Sequence, residues 1–417
     1  MEKLKIDNFL GLKDINIQIN DFNVIIGPQA SGKSLIAKLI YYSKSIFEEM
    51  YLAANKDYTK TELKKELRTK FERFFPKSSW INSSFDIEYS IDDYTFSITN
   101  KWEDKDFFFI EFSDEVEKVW KDLVVERKDI LDKYKLDDVL GLTEASMKLG
   151  TFKDYFNNLI PDIAKNQQVY VPAGRSFFAL LQSSIFSILS SNQNIDPLLQ
   201  SFGALYEKLK PIYADSDSAS IKMFDSLVSE ILKGKYLLEK GKDYLLHEDG
   251  RKIEVSYCSS GQQEILPLVI VLRFLLSASS LRTQRYTVYI EEPEAHIFPM
   301  AQKKMIDILS LLFNNINVQF IVTTHSPYVL TSLNNNLQAG LIRKEADSEK
   351  LDKLFEVIHK DFILKSESVS AFSIENGNLR SIIEEESELI SADLIDDVSN
   401  VLGAQFDELL DLIDYGD

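Results

Sequence analysis

The chain has 417 residues, of which 45% are hydrophobic and 27% charged. That is ordinary for a globular protein, and long enough for one large domain with an insertion or for two domains. Its net charge of −19 and pI near 4.8 speak against broad wrapping of nucleic acid and leave room only for a local basic groove. The single cysteine, Cys258, cannot build an intrachain disulfide or a cysteine-based zinc site.

In chain order, Met1–Ile6 alternates charged and apolar residues, unlike a signal peptide. Leu4–Asn8 and Ile15–Ile19 alternate and Phe22–Ile26 is a continuous apolar run, so the opening reads as strands, with Gly11 in the first turn. A helical stretch follows from Lys33 to about Ala53, then a charged, helix-prone Lys56–Phe75 that Pro76 stops. Phe85–Phe112 alternates in pairs and reads as a small antiparallel sheet, while Asp114–Tyr134 and Tyr155–Ala164 read as helices. Gln168–Pro172 is a short apolar strand ending in Pro172-Ala173-Gly174-Arg175. Ser176–Lys240 reads as a long helical region, interrupted near Pro197, Pro211 and Asp215–Ser218, without the sustained heptads of long coiled-coil arms. The turn Ser259–Gly261 precedes a helix running to about Ser277, whose apolar run Leu266–Leu276 is short for a bilayer and holds Arg273. Thr287–Ile290 and Val318–Thr323 are apolar runs separated by the amphipathic Ala301–Phe313, a strand–helix–strand pattern that predicts a parallel sheet covered on both faces. Ser381–Asp417 has no Lys or Arg and reads either as a solvated helical tail or as a docking surface for a basic partner. No membrane contact and a cytoplasmic location are expected.

Four motifs carry chemistry. Gly27-Pro28-Gln29-Ala30-Ser31-Gly32-Lys33-Ser34 fits G-x-x-x-x-G-K-[ST] after a strand and before a helix. Its backbone amides and the helix N-terminus suit phosphates, Lys33 the β- and γ-phosphates, and the Ser34 hydroxyl Mg²⁺. Glu291, at the end of an apolar strand, is expected to hold Mg²⁺ through its water shell, and Glu292 to polarise an attacking water. Ser259-Ser260-Gly261-Gln262 opens a helix, so its amides and hydroxyls could meet a phosphate from outside; alone it is also an ordinary N-cap. His325 ends the strand after the acidic one, where it could contact the γ-phosphate and the water.

In this order, the four motifs resemble ABC-type ATPase heads. Gly27–Ser34 matches Walker A, and Cys258–Gln263 the signature motif, with Ser260 where the first glycine normally stands. Tyr286–Glu292 matches Walker B plus the catalytic glutamate, Ala295–Pro299 the D-loop, and His325 the switch histidine. Ile6–Gly11, Glu291–Pro299, Thr323–Pro327 and Tyr170–Arg175 look most like prokaryotic AAA15/AAA21-type ATPases, the group found in overcoming-lysogenization-defect proteins and in the Septu, Gabija and PARIS anti-phage systems. The resemblance covers about residues 1–45 and 250–335. It implies an α/β ABC-type P-loop head with a mixed, mainly parallel sheet, an N-terminal antiparallel β-subdomain and a largely helical insertion. It also implies ATP and Mg²⁺ as cofactors and a homodimer, or a higher assembly of dimers, in which one copy's Ser259, Ser260, Gly261 and Gln262 close on the other's nucleotide. Where many relatives have Asp, this chain has Glu291. The only glutamines near the Q-loop position are Gln167 and Gln168. Arg175 reads either as a nucleotide-contacting or coupling residue or as a surface arginine at a helix start.

The expected division is residues 1–50 and 246–417 as the two parts of the head, with 51–245 as the insertion, returning to the head near 168–175. The lysogenization-defect and Gabija proteins carry a Toprim nuclease, for which fewer than eighty residues beyond Gly340 leave no space. Asp396-Asp397 reads as helix surface, and Glu126-Arg127-Lys128 as a charged helix that happens to have nuclease-like spacing. The expectation is therefore an ATPase that senses or scaffolds in anti-phage defence and controls a separate effector, a nuclease. The alternatives are a RecF-like ATPase acting directly on DNA, a contact the net charge does not support, and a nuclease with an unrecognised site in the insertion.

Overall fold

The computed structural model describes residues 1–81, 83–100, 107–133, 141–180, 195–213, 218–278, 285–391 and 403–409. The strands among the described residues are β1 (Glu2–Phe9), β2 (Leu12–Ile19), β3 (Phe22–Ile26), β4 (Phe85–Ile91), β5 (Tyr94–Asn100), β6 (Phe109–Phe112), β7 (Gln167–Val171), β8 (Lys235–Glu239), β9 (Lys242–Leu246), β10 (Lys252–Glu254), β11 (Tyr286–Glu291), β12 (Val318–Thr324), β13 (Val369–Glu375) and β14 (Asn378–Ser381). The apolar runs become the central sheet, ordered β14-β13-β3-β12-β11-β7. Its four pairings from β13 to β7 are parallel, and β14 is antiparallel at one edge. The sheet is thus mixed and mainly parallel, the ABC-type head expected from the motifs.

Strand periodicity of two splits each run between two cores. Val24, Val288, Val322 and Ala371 face one core, with the helices Ser260–Ala278 and Pro299–Asn315. Ile25, Tyr289, Ile321 and Phe372 face the other, with the Lys33–Lys44 helix and the antiparallel sheet. Burial on both faces is why these strands read as continuous hydrophobic runs rather than alternating ones.

The antiparallel sheet is larger than the strand pattern predicts. The Phe85–Phe112 strands are not a separate small sheet. They extend the N-terminal hairpin into one sheet, β2-β1-β4-β5-β6, in which Leu4 lies opposite Tyr89 and Ile6 opposite Ile87. A buried ion pair ties this sheet to the phosphate-loop helix: Lys44 Nζ lies 3.0 Å from Glu2 Oε2 and donates to Gln319 Oε1 on β12 at 2.7 Å. Burial lowers the Lys44 pKa and the adjacent Glu2 opposes the shift.

Two other departures have local causes. Lys235–Lys240 is not helical but forms β8 of a small β10-β9-β8 sheet. The helix Ala219–Leu232 stops at Lys233, which is left-handed, and Lys240-Gly241 (φ 50° and 77°) makes the two-residue turn that twisted hairpins favour. Val369–Glu375, which carries no clear strand pattern in the sequence, forms β13 beside β3. Its hairpin turns at Asn376-Gly377 (φ 52° and 80°), where a Cβ on Gly377 would meet Gly11 O at 2.0 Å. Tyr134, Asp215, Asp396 and Asp397 lie outside the described residues. Among the described residues, no helix is long and apolar enough to cross a membrane.

Candidate functional site

Four loops converge because four parallel strands end at one edge, the place where open α/β sheets bind ligands. β3 leads into Gly27–Gly32, β7 into Pro172–Ser176, β11 into Glu292–Phe298 and β12 into His325. Register fixes the alignment: Ile26 pairs with Thr324, Glu291 with Thr323 and Ile290 with Val171.

The phosphate-type loop is held in an unusual backbone shape. Ala30 and Gly32 have φ of 61° and 105°, and Gly32 caps the twelve-residue helix Lys33–Lys44. A Cβ on Gly27 would lie 2.5 Å from Ile374 O and 2.8 Å from Ser31 Oγ, so only glycine fits. Lys33 is buried, and its Nζ donates to the carbonyls of Gly27 and Pro28, both at 2.7 Å, folding the ammonium back over the loop. Burial lowers the Lys33 pKa, against the pull of Glu292 and Glu294. Ser31 Oγ is covered yet has no hydrogen-bond partner. Ser34 sits in the first helical turn, and Pro28 and Gln29 are exposed. A helix N-terminus without an acidic residue in its first turn, a lysine and an orphan hydroxyl together suit an anion.

Across from this loop lie the glutamates. Glu291 is buried; it accepts from Tyr170 Oη at 2.6 Å and from the Ala173 amide at 3.0 Å. Glu292 is partly exposed and left-handed (φ 44°), with its amide bound to Thr323 O at 2.8 Å. That turn aims its carboxylate at His325, whose Nδ1 lies 3.7 Å from Glu292 Oε1. These side chains border a cleft of about 450 Å³ that Gln302 and Tyr328 also line.

Glu294 joins the site beside the adjacent glutamate pair that the motif marks. It is 3% exposed, and its Oε1 accepts from Thr324 Oγ1 (2.7 Å) and the His325 amide (2.9 Å) and lies 3.4 Å from His325 Nδ1. Its other oxygen is buried without a partner. The signal was present in Glu291-Glu292-Pro293-Glu294, because a third carboxylate so near a buried strand has little water to face.

The signature turn is a capped helix start. Ser259 donates from its amide and hydroxyl to Gln262 Oε1, each at 3.0 Å, and Gln262 Nε2 donates to Leu232 O at 2.7 Å. A Cβ on Gly261 would meet His296 O at 2.4 Å, so the turn packs directly on the loop that carries Glu294. Ser260 opens the helix Ser260–Ala278. The phosphate loop has different neighbours, Leu12 and Ile374. Around the signature turn Tyr257, Phe298 and Met300 are 81%, 76% and 61% exposed.

Two sequence expectations change place. Gln167 and Gln168 pair with Tyr286 and Thr287 at the start of β7, the far end of the strands from Glu291. Arg175 is neither a surface arginine nor turned toward the phosphate loop. It is fully buried, and its guanidinium donates to the backbone carbonyls of Pro172, Glu264, Glu291 and Glu292.

This fold and this edge are those of an α/β ABC-type P-loop head. Residues 162–330 match the model of the AAA ATPase domain family, AAA_15. It is similar to the Retron Ec83 probable ATPase of Escherichia coli, 27% identical over 266 residues covering 57% of this chain and 48% of that protein. It is also similar to the Retron Vc95 probable ATPase of Vibrio cholerae, 23% identical over 212 residues covering 49% and 34%. The chain spans less than half the length of either relative. Among solved structures it aligns with the SMC head domain from Thermotoga maritima (14% identity, 91% of this chain and 97% of that one, TM-score 0.35). A second is an SMC head bound to the C-winged helix domain of ScpA (12% identity, 92% and 98%, TM-score 0.42).

Proposed function

We propose that the chain binds and hydrolyses ATP with Mg²⁺ at the interface of two copies, and that this cycle controls a separate effector, a nuclease, in prokaryotic antiviral defence. The observation that carries the ATPase reading is the convergence at one sheet edge of the Gly27–Ser34 loop, the paired Glu291 and Glu292, and His325. The orphan Ser31 hydroxyl, the space denied to any side chain at Gly27 and the folded-back Lys33 fit a nucleotide's phosphates. Ser34 and Glu291 are the residues that would hold Mg²⁺, which supplies charge neutralisation on the phosphates. Glu292 accepts the proton of the attacking water, and His325, steadied by Glu294, orients beside it. The homodimer reading rests on the Ser259–Gln262 turn, which packs on its own His296 loop and presents apolar Tyr257, Phe298 and Met300 outward. The defence reading rests on the motif resemblance, together with the likeness to two retron probable ATPases. The domain limits expected near residues 50 and 245 do not follow the elements: the first divides the β2-β1-β4-β5-β6 sheet and the second falls inside β9.

The test is direct. Lys33→Ala loses nucleotide binding, because it removes the loop's own cation. Glu292→Gln binds ATP normally but turns over about a hundredfold slower or less, the range for losing a general base. Wild-type turnover in Glu292→Gln contradicts the assignment.

A further inference from the structure

The loop after β7 grips two elements that belong to different halves of an ATPase cycle. Gly174 (φ 73°) turns the chain so that successive amides point at two carboxylates. The Ala173 amide donates to Glu291 Oε2 at 3.0 Å. The Arg175 and Ser176 amides donate to Glu264 Oε1 and Oε2, both at 2.8 Å. Glu264 lies on the signature helix, two residues past Gln262, and is 1% exposed.

The Arg175 side chain repeats the bridge. Its Nε donates to Glu264 O at 3.1 Å and lies 3.3 Å from Glu264 Oε1. Its Nη1 donates to Pro172 O at 2.9 Å and Glu291 O at 2.7 Å, and its Nη2 to Glu292 O at 3.0 Å. A buried guanidinium is costly unless its donors are satisfied, and here the satisfying partners are the carbonyls of both strand-end glutamates. The planar fork makes this a rigid link, because several donors are fixed at once in one geometry. A shift of the signature helix along β11 must either break these bonds or carry the Glu291-Glu292 backbone with it.

We propose that Arg175 is a positioning residue that couples the signature helix to the catalytic glutamate of the same subunit. Closure of one subunit's Ser259–Gln262 turn on the partner's ATP thereby sets that first subunit's own Glu292. The inference rests on the dimeric ATPase reading. It makes the two sites reciprocal: each subunit senses the neighbour's nucleotide through its signature helix and answers at its own glutamate.

The experiment measures binding of a fluorescent ATP analogue, thermal stability, and hydrolysis against ATP concentration for wild type, Arg175→Lys, Arg175→Met and Glu264→Gln. Wild type hydrolyses with a Hill coefficient above 1. Arg175→Lys keeps the charge beside Glu264 but cannot span the carbonyls. It therefore folds with a lower thermal midpoint and keeps nucleotide affinity to within about twofold, while kcat falls about tenfold or more and the Hill coefficient drops to 1. Glu264→Gln offers one acceptor to two amides, and it also loses cooperativity with affinity intact. If Arg175→Met does not fold, Arg175→Lys and Glu264→Gln decide the matter. Full rescue of rate and cooperativity by Arg175→Lys reduces Arg175 to a structural charge and overturns the proposal, as does cooperativity that survives in Glu264→Gln. A wild type that hydrolyses ATP without dimerising and with a Hill coefficient of 1 overturns the dimer reading, and the coupling with it.

Discussion

Glu292 occupies a backbone conformation that its side chain alone does not favour. Its φ of 44° lies in the left-handed region, where a non-glycine residue costs of order 1 kcal/mol or more, and the cost is held by the Thr323 carbonyl and the turn to Ala295. Strain at a residue whose carboxylate faces His325 is what a site that fixes one geometry requires. Replacing Glu292 by Gly removes the strain, whereas Ala keeps it. Neither has a carboxylate, so the expected result is two inactive proteins of which Glu292→Gly is the more stable by about 1 kcal/mol. Equal thermal midpoints for the two variants contradict that account. Glu294 shows the limit of reading residues singly: its importance lies in what surrounds it, the Thr324 hydroxyl and the His325 amide and ring, and a sequence does not print neighbours thirty residues apart.

Between elements, the contact that matters most for the site is the signature helix against the Glu292–Phe298 loop. A methyl group at position 261 has 2.4 Å to His296 O, less than any real Cβ contact, and the obstacle is backbone rather than a movable side chain. Gly261→Ala must push the helix start away from that loop. The expected outcome is a fall in stability of about 1–3 kcal/mol, as for overpacking, with hydrolysis lost and ATP binding to the Lys33 loop kept. Thermal melts and nucleotide titration check it, and wild-type hydrolysis in Gly261→Ala contradicts it. At this scale the parallel strands were legible, because burial on both faces leaves uninterrupted apolar runs such as Val318–Thr324. The β8–β9 hairpin was not, since Lys235–Leu246 is half exposed and its turn is carried by Lys240-Gly241 alone. Strand β13 escaped for a related reason: Ser370 and Ser373 break its apolar run, and its Asn376-Gly377 turn is the one local mark it leaves. The burial of Arg175 is not legible, because nothing in Pro172–Arg175 announces that four carbonyls, from the loop after β7, the signature helix and the end of β11, will meet there.

For the molecule as a whole, two cores on either side of one sheet make a firm head, and the Lys44–Glu2 pair binds the antiparallel sheet to the helix that begins at the phosphate loop. Such a head holds the Gly27–Ser34 loop and the Ser259–Gln262 turn on different neighbours, Ile374 and Leu12 for one, His296 and Leu232 for the other. The account therefore turns on a second copy, in a two-fold arrangement where each patch meets its complement. The most direct measurement is the mass in solution of Glu292→Gln by light scattering at micromolar protein, with and without ATP and Mg²⁺. The account predicts a monomer of 47.9 kDa without nucleotide and twice that mass with it, and no change for Lys33→Ala. Glu292→Gln that stays at 47.9 kDa with ATP and Mg²⁺ bound contradicts it.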